Sequence, residues 1–134
     1  MKGPSVNMNE YHLIIEALPH VFSVCKVKDY SGIDLNQSFV FTGATDEEKS
    51  LVCPAEYAPC NVIERDDGWK AMRIKGQLDF SLIGILAKIA SLLAAEKISI
   101  FALSTFNTDY ILTKENSFEE ALDILEESGY QIMR

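Results

Sequence analysis

At 134 residues the chain is one compact unit or two very small ones. Hydrophobic residues make up 48% and charged residues 24%, a globular composition that excludes a disordered tail or a fibrous repeat. Twelve Lys and Arg against twenty Asp and Glu leave a formal net charge of −8, which argues against nucleic acid and membrane surfaces as partners.

The start, Met1-Lys2-Gly3-Pro4-Ser5, has no hydrophobic signal core, and the longest apolar stretch, Leu82–Ala95, is broken by Gly84, Lys88 and Ser91. It is too short to span a bilayer, and the expected location is the cytoplasm. The first half reads as strands with little helix. Tyr11–Leu18 and Val21–Val27 are separated by Pro19, and Phe39–Gly43 and Ser50–Cys53 by the acidic turn Asp46-Glu47-Glu48. Thr45-x-x-Glu48 also fits a capping box, but the residues after it favour a strand. No self-similarity between the halves is visible in the sequence. Residues 1 to about 65 are few for an independent core and are expected to lean on the second half.

The second half is more legible. Trp69–Lys75 alternates, with Ala71, Arg73 and Lys75 on one face and Met72 and Ile74 on the other, which predicts a strand. Leu82, Leu86, Ile89 and Leu93, widened by Ile85 and Leu92, then form the stripe of an amphipathic helix with Lys88, Ser91 and Glu96 turned away. Asp79 or Ser81 could cap it. Ile98–Thr105 and Thr108–Thr113 predict two strands joined by a tight hairpin at Phe106-Asn107. Ser117-x-x-Glu120 fits a capping box, and Gly129 stands where a left-handed helix end is wanted before a last strand, Tyr130–Met133. The order is β-α-β-β-α-β, the ferredoxin-like α+β unit of two helices on one face of an antiparallel sheet.

Residues Gly84–Ala90, Leu92–Ala94 and Ile98–Leu112, with the string Ser104-Thr105-Phe106-x-x-Asp109, resemble an ACT domain. More narrowly they resemble the CASTOR-type arginine sensors and their small bacterial tandem-ACT relatives. The likeness covers roughly Gly76–Leu125. It implies two ACT modules packed side by side: a divergent, strand-rich one over residues 1–67 and an ACT domain over 68–134. Those sensors carry four modules where this chain has room for two, so a site between modules of different pairs would need a second chain. The implied activity is non-catalytic amino-acid sensing at an ACT–ACT interface, with a homodimer as the assembly.

The candidate ligand-binding set is Gly84, Ile85, Thr105, Phe106, Asn107 and Asp109. A helix start offers unpaired amides and a positive dipole end to a carboxylate, and Gly84 there lets a ligand approach the backbone. Asp109 could pair with an ammonium group, and Asn107 or Thr105 could add neutral hydrogen bonds. Each residue has a structural alternative: Gly84 a tight helix entry, Asn107 a left-handed turn, Asp109 a solvated turn carboxylate, Phe106 a plug at an interface. A second class of function is therefore a structural or interaction module with no ligand.

A third is an enzyme built on Cys or His, and it is the weakest. His12 and His20 flank a strand, with His20 beside Pro19 expected in a turn. Cys25 fits a small core position, and Cys53 and Cys60 bracket a proline-punctuated loop. Three cysteines without a C-x-x-C spacing argue against a disulfide framework or a zinc site, and no phosphate-cradling glycine loop is present, so no cofactor is expected.

Overall fold

A computed structural model of the chain describes residues 13–75 and 84–134. The first strand, β1 (Ile14–Val27), runs unbroken through Pro19, where a break was expected. Its partners explain this. Ile14–Glu16 pair in parallel with 131–133, and Phe22–Lys26 pair antiparallel with 50–54. Pro19, which has no amide hydrogen, falls between those two stretches, where it removes no ladder bond to either of those two strands. His20 accordingly lies in a strand and not in a turn, its ring packed on Phe22 and Phe39.

The strands β2 (Phe41–Ala44), β3 (Lys49–Pro54) and β4 (Val62–Lys75) follow. β4 begins well before Trp69, so Asp67 and Gly68, where a module boundary was expected, both lie within it. Contacts divide the chain into two units. One is His20–Trp69; the other joins the described part of Met1–Pro19 to Lys70–Arg134.

In the His20–Trp69 unit the strand order is β2-β3-β1-β4. Cys25, Val27, Ile33, Leu51 and Cys53 form its buried cluster, with Tyr30, Val40, Ala58 and Val62 packed around them. Its described residues contain no α-helix, only a 3-10 turn at Ala55–Tyr57. Thr45-x-x-Glu48 starts no helix either. The Thr45 amide donates to Glu48 O at 2.9 Å, while Thr45 Oγ1 accepts from the Glu47 and Glu48 amides, which closes the β2–β3 hairpin.

In the other unit β4 is followed by α1 (Ile85–Ala95), β5 (Phe101–Ser104), β6 (Asp109–Lys114), α2 (Glu115–Glu127) and β7 (Gln131–Met133). This is the expected β-α-β-β-α-β order, in a ferredoxin-type arrangement with an antiparallel β5–β6 pair. One pairing was not foreseen: the start of β1, within the strand expected over Tyr11–Leu18, pairs with β7 and places Ile15, with Leu13 just before it, in the core. That core joins Met72, Ile74 and Ile111 of the sheet to Ile89 and Leu93 of α1 and Phe118, Leu122 and Leu125 of α2. The expected alternation of β4 holds in part: Met72 and Ile74 lie in the core and Arg73 and Lys75 outside it, but Ala71, on the same face as Arg73, is buried too.

Helix ends differ from expectation at their starts and agree at one finish. Gly84 is the N-cap of α1; Leu82 and the capping candidates Asp79 and Ser81 lie outside the described residues. Ser91 and Glu96 are exposed, whereas Lys88 is half-buried. The helix α2 begins at Glu115, with extended Lys114 as its N-cap, so Ser117 sits inside the first turn and caps nothing. Gly129 (φ 108°) ends α2 as expected: its amide reaches Glu126 O and that of Tyr130 reaches Leu125 O, a Schellman closure. The end of α1 repeats the pattern with Lys97 (φ 61°) in place of glycine, the Lys97 amide bonding Ala94 O and the Ile98 amide Leu93 O.

The two hairpins match in detail. β2 and β5 span Phe41–Ala44 and Phe101–Ser104, β3 and β6 span Lys49–Pro54 and Asp109–Lys114, so every position has a counterpart sixty residues on. Ala44 faces Lys49 as Ser104 faces Asp109, and β2 and β5 alternate between half-buried and exposed in the same phase. Thr105 closes its turn as Thr45 does, its amide donating to Thr108 O at 2.8 Å.

Candidate functional site

The β5–β6 hairpin gathers four of the six candidate residues. A Thr105–Thr108 turn leaves only Phe106 and Asn107 at the tip, both exposed, and the Phe106 ring is 96% exposed. Such a ring on a two-residue tip contributes nothing to its own core, so its apolar surface is available to something else. Thr105 is occupied structurally: its hydroxyl donates to Thr108 O at 3.1 Å and accepts the Thr108 amide. Asp109, the first residue of β6, is half-buried, and Ser104 Oγ donates to its Oδ1 at 2.6 Å. That bond fixes the carboxylate direction and leaves it further acceptor capacity, since an ionised carboxylate can take about four hydrogen bonds.

Thr108 ties the hairpin to β4, its hydroxyl donating to Ile74 O at 2.6 Å. The tip is therefore anchored beside the end of the strand that precedes α1. Sequence reasoning missed the roles of Ser104 and Thr108. The two-residue turn was the available signal, because it places residues 104 and 109 directly opposite each other.

Gly84 and Ile85 form a second group at the start of α1. Gly84 is left-handed (φ 80°) and exposed, with nothing within 4 Å of where a Cβ would stand. Its conformation alone requires glycine there. Its carbonyl accepts the first helical bond, from the Lys88 amide at 2.8 Å, which leaves the amides at the helix start without intrahelical partners. The Ile85 side chain is a core residue, 6% exposed, so only its backbone faces the helix end. At the opposite end of α1 a depression of about 480 Å³ is lined by Ala90, Ala94, Lys97, Ile98, Ser99 and Ile100, and none of the candidate residues lines it.

Elsewhere several polar side chains are engaged in structure. Arg73 Nε donates to Glu16 Oε1 at 2.6 Å and Lys75 Nζ lies 3.7 Å from Glu16 Oε2; the Tyr110 and Glu16 side chains hold the Arg73 guanidinium above its ordinary pKa. In the His20–Trp69 unit Ser23 Oγ donates to Asp67 Oδ1 at 2.5 Å, and Arg65 Nε donates to the same oxygen at 2.6 Å. Burial pushes the thiol of Cys53 up to about 11 and that of Cys25 in the same direction, which makes both poor nucleophiles. Cys60 is exposed, and His12 lies outside the described residues. Among the described residues no three His, Cys, Asp or Glu are placed to hold a metal ion, and no helix is long and apolar enough to cross a membrane.

A ferredoxin-type unit with an exposed hairpin tip and a glycine-opened first helix is the class this geometry defines. Residues 64–127 match the family model of the ACT domain. It is 44% identical over 59 residues to the cytosolic arginine sensor for mTORC1 subunit 1 of Rattus norvegicus; the match covers 43% of this chain and only 18% of the sensor. Among solved structures it is similar to the protein Atu0741 of Agobacterium tumefaciens, at 27% identity and a TM-score of 0.79, over 91% of this chain and 92% of the other. Its fold is also that of part of the aspartate kinase of Clostridium acetobutylicum, at 13% identity and a TM-score of 0.61, over 87% of this chain and 34% of the kinase.

Proposed function

We propose that the chain is a non-catalytic regulatory protein of the cytoplasm that binds an amino acid at an ACT–ACT interface, in a homodimer. Asp109 takes the ammonium group, the first amides of α1 take the carboxylate, and a second copy supplies the facing module. The supporting observation is the Ser104–Asp109 pair: a half-buried carboxylate held at 2.6 Å by a neighbouring hydroxyl, beside a phenylalanine ring that nothing in the hairpin covers. A carboxylate fixed in this way presents a charge-assisted acceptor without first losing side-chain freedom. Thr105 and Ile85 act in this reading through their backbone, their side chains being engaged in the turn and the core. The name of the matched sensors makes L-arginine the first probe.

Thermal unfolding with each of the twenty protein amino acids, L-arginine first, tests the reading. At a hundredfold excess over Kd the expected stabilisation is about 2.7 kcal/mol. Asp109→Asn is expected to weaken binding by about 1.5–3 kcal/mol with little change in stability. No rise with any amino acid, or an affinity untouched by Asp109→Asn, ends it. For the assembly, light scattering that reports only a 15.0 kDa species at tens of micromolar overturns the homodimer.

A further inference from the structure

The paired hairpins bear on how many ligands the chain takes, an inference that rests on the amino-acid reading of Asp109. Both hairpins have the same strand lengths, the same register and the same threonine-closed turn. Their backbones therefore offer an ammonium group the same hairpin frame, and at the hairpin the difference lies in the side chains set on it. Where β6 begins with Asp109, β3 begins with Lys49, and where Ser104 stands opposite Asp109, Ala44 stands opposite Lys49. Carboxylate and hydroxyl are thus replaced by a cation and a methyl group. The apolar tip residue Phe106 corresponds to Asp46, within an exposed Asp46-Glu47-Glu48 run.

We propose that the residue at the start of the second hairpin strand, Asp109 or Lys49, decides which hairpin accepts an ammonium group, so that only the β5–β6 hairpin binds and each chain takes one amino acid. A lysine ammonium at the position that must receive the ligand's ammonium repels it, and Ala44 has no hydroxyl to orient a replacement carboxylate. The β2–β3 hairpin copies the hairpin part of the frame without its chemistry, and the described residues of its unit offer no α-helix start for the carboxylate. Lys49 is exposed and stands outside the binding group, so its substitution is a clean control.

The test is a two-dimensional amide titration of the full chain, first with a mixture of the twenty protein amino acids and then with L-arginine alone. Saturating shifts are expected at Gly84, Ile85 and Thr105–Asp109, with none at Thr45–Lys49. Asp109→Asn is expected to weaken the response tenfold or more, and Lys49→Ala to leave the apparent Kd within twofold. Saturating shifts at Thr45–Lys49, or a response there that survives Asp109→Asn, overturn the single-site inference while leaving amino-acid binding intact. No shift at either hairpin refutes the amino-acid reading itself, and the inference with it.

Discussion

Lys97 is a place where the backbone and the residue disagree. It occupies the left-handed position of the Schellman closure of α1 with φ 61°, while the corresponding position of α2 is filled by Gly129. A non-glycine residue in that conformation carries a cost of about 1–2 kcal/mol from its Cβ, and glycine escapes it. Against this, glycine loses about 0.5–1 kcal/mol of additional backbone entropy on folding. The Lys97 side chain is exposed, so little packing is lost with it. Lys97→Gly is therefore expected to stabilise the fold by about 0.5–1 kcal/mol, a rise of a few degrees in Tm for a chain of this size. Gly129→Ala, the reverse change at the partner position, is expected to destabilise by about 1 kcal/mol or more. Urea unfolding of the three proteins at equal m-value measures both differences. A destabilised Lys97→Gly beside a neutral Gly129→Ala would refute the conformational argument and assign Lys97 a contact through its side chain.

Other consequences are as direct. Ile89→Ala, at a position with no exposure, is expected to cost about 2–5 kcal/mol, and Leu86→Ala, half-buried at the edge of the same core, distinctly less; equal effects in denaturant would mean the helix is phased wrongly. Glu16→Gln removes the charge that faces Arg73 and Lys75 while keeping one acceptor oxygen and is expected to cost about 1 kcal/mol, an effect that should shrink in high salt. The Cys53 thiol is raised in the fold to about 11 from 9.0, so its contribution is complete below about pH 9 and is lost as pH rises through about 11. Stability measured from pH 8 to 11 should therefore fall more steeply for the native chain than for Cys53→Ala. Parallel slopes would mean that burial of this thiol has no bearing on alkaline unfolding.

The elements that the sequence made legible are those governed by local rules. The α2 stripe, the Gly129 ending and the two-residue hairpin at Phe106-Asn107 each follow from nearest-neighbour geometry, and each is found. Pro19 misled because a proline's effect on a strand depends on which partner faces it, and that partner is remote in sequence. The kinship of the hairpins was invisible for a similar reason. Between residues 41–54 and 101–114 only Phe41 with Phe101 and Thr45 with Thr105 are identical, because the turn needs a threonine hydroxyl and the strands need only alternation. Of the candidate site, the hairpin residues could be grouped from the spacing alone. The placing of Ile85 in the core and the engagement of the Thr105 hydroxyl required knowing the helix phase and the turn closure.

The pairing of β1 with β7 bears on how this protein comes off the ribosome. Ile14–Glu16 meet Gln131–Met133, so the sheet edge opened by one of the earliest described strands is covered by one of the latest. Until β7 emerges, Leu13 and Ile15 belong to a core whose other members are still being made. Residues 64–127, the stretch that carries the family signature, form a segment that lacks both of these strands. Vectorial synthesis therefore delivers every strand of the His20–Trp69 unit before the ferredoxin-type unit can close around a strand made long before it. Closure over so long an intervening chain is entropically slow, and until then the waiting strand edge is unpaired along Ile14–Glu16 on the side that β7 covers.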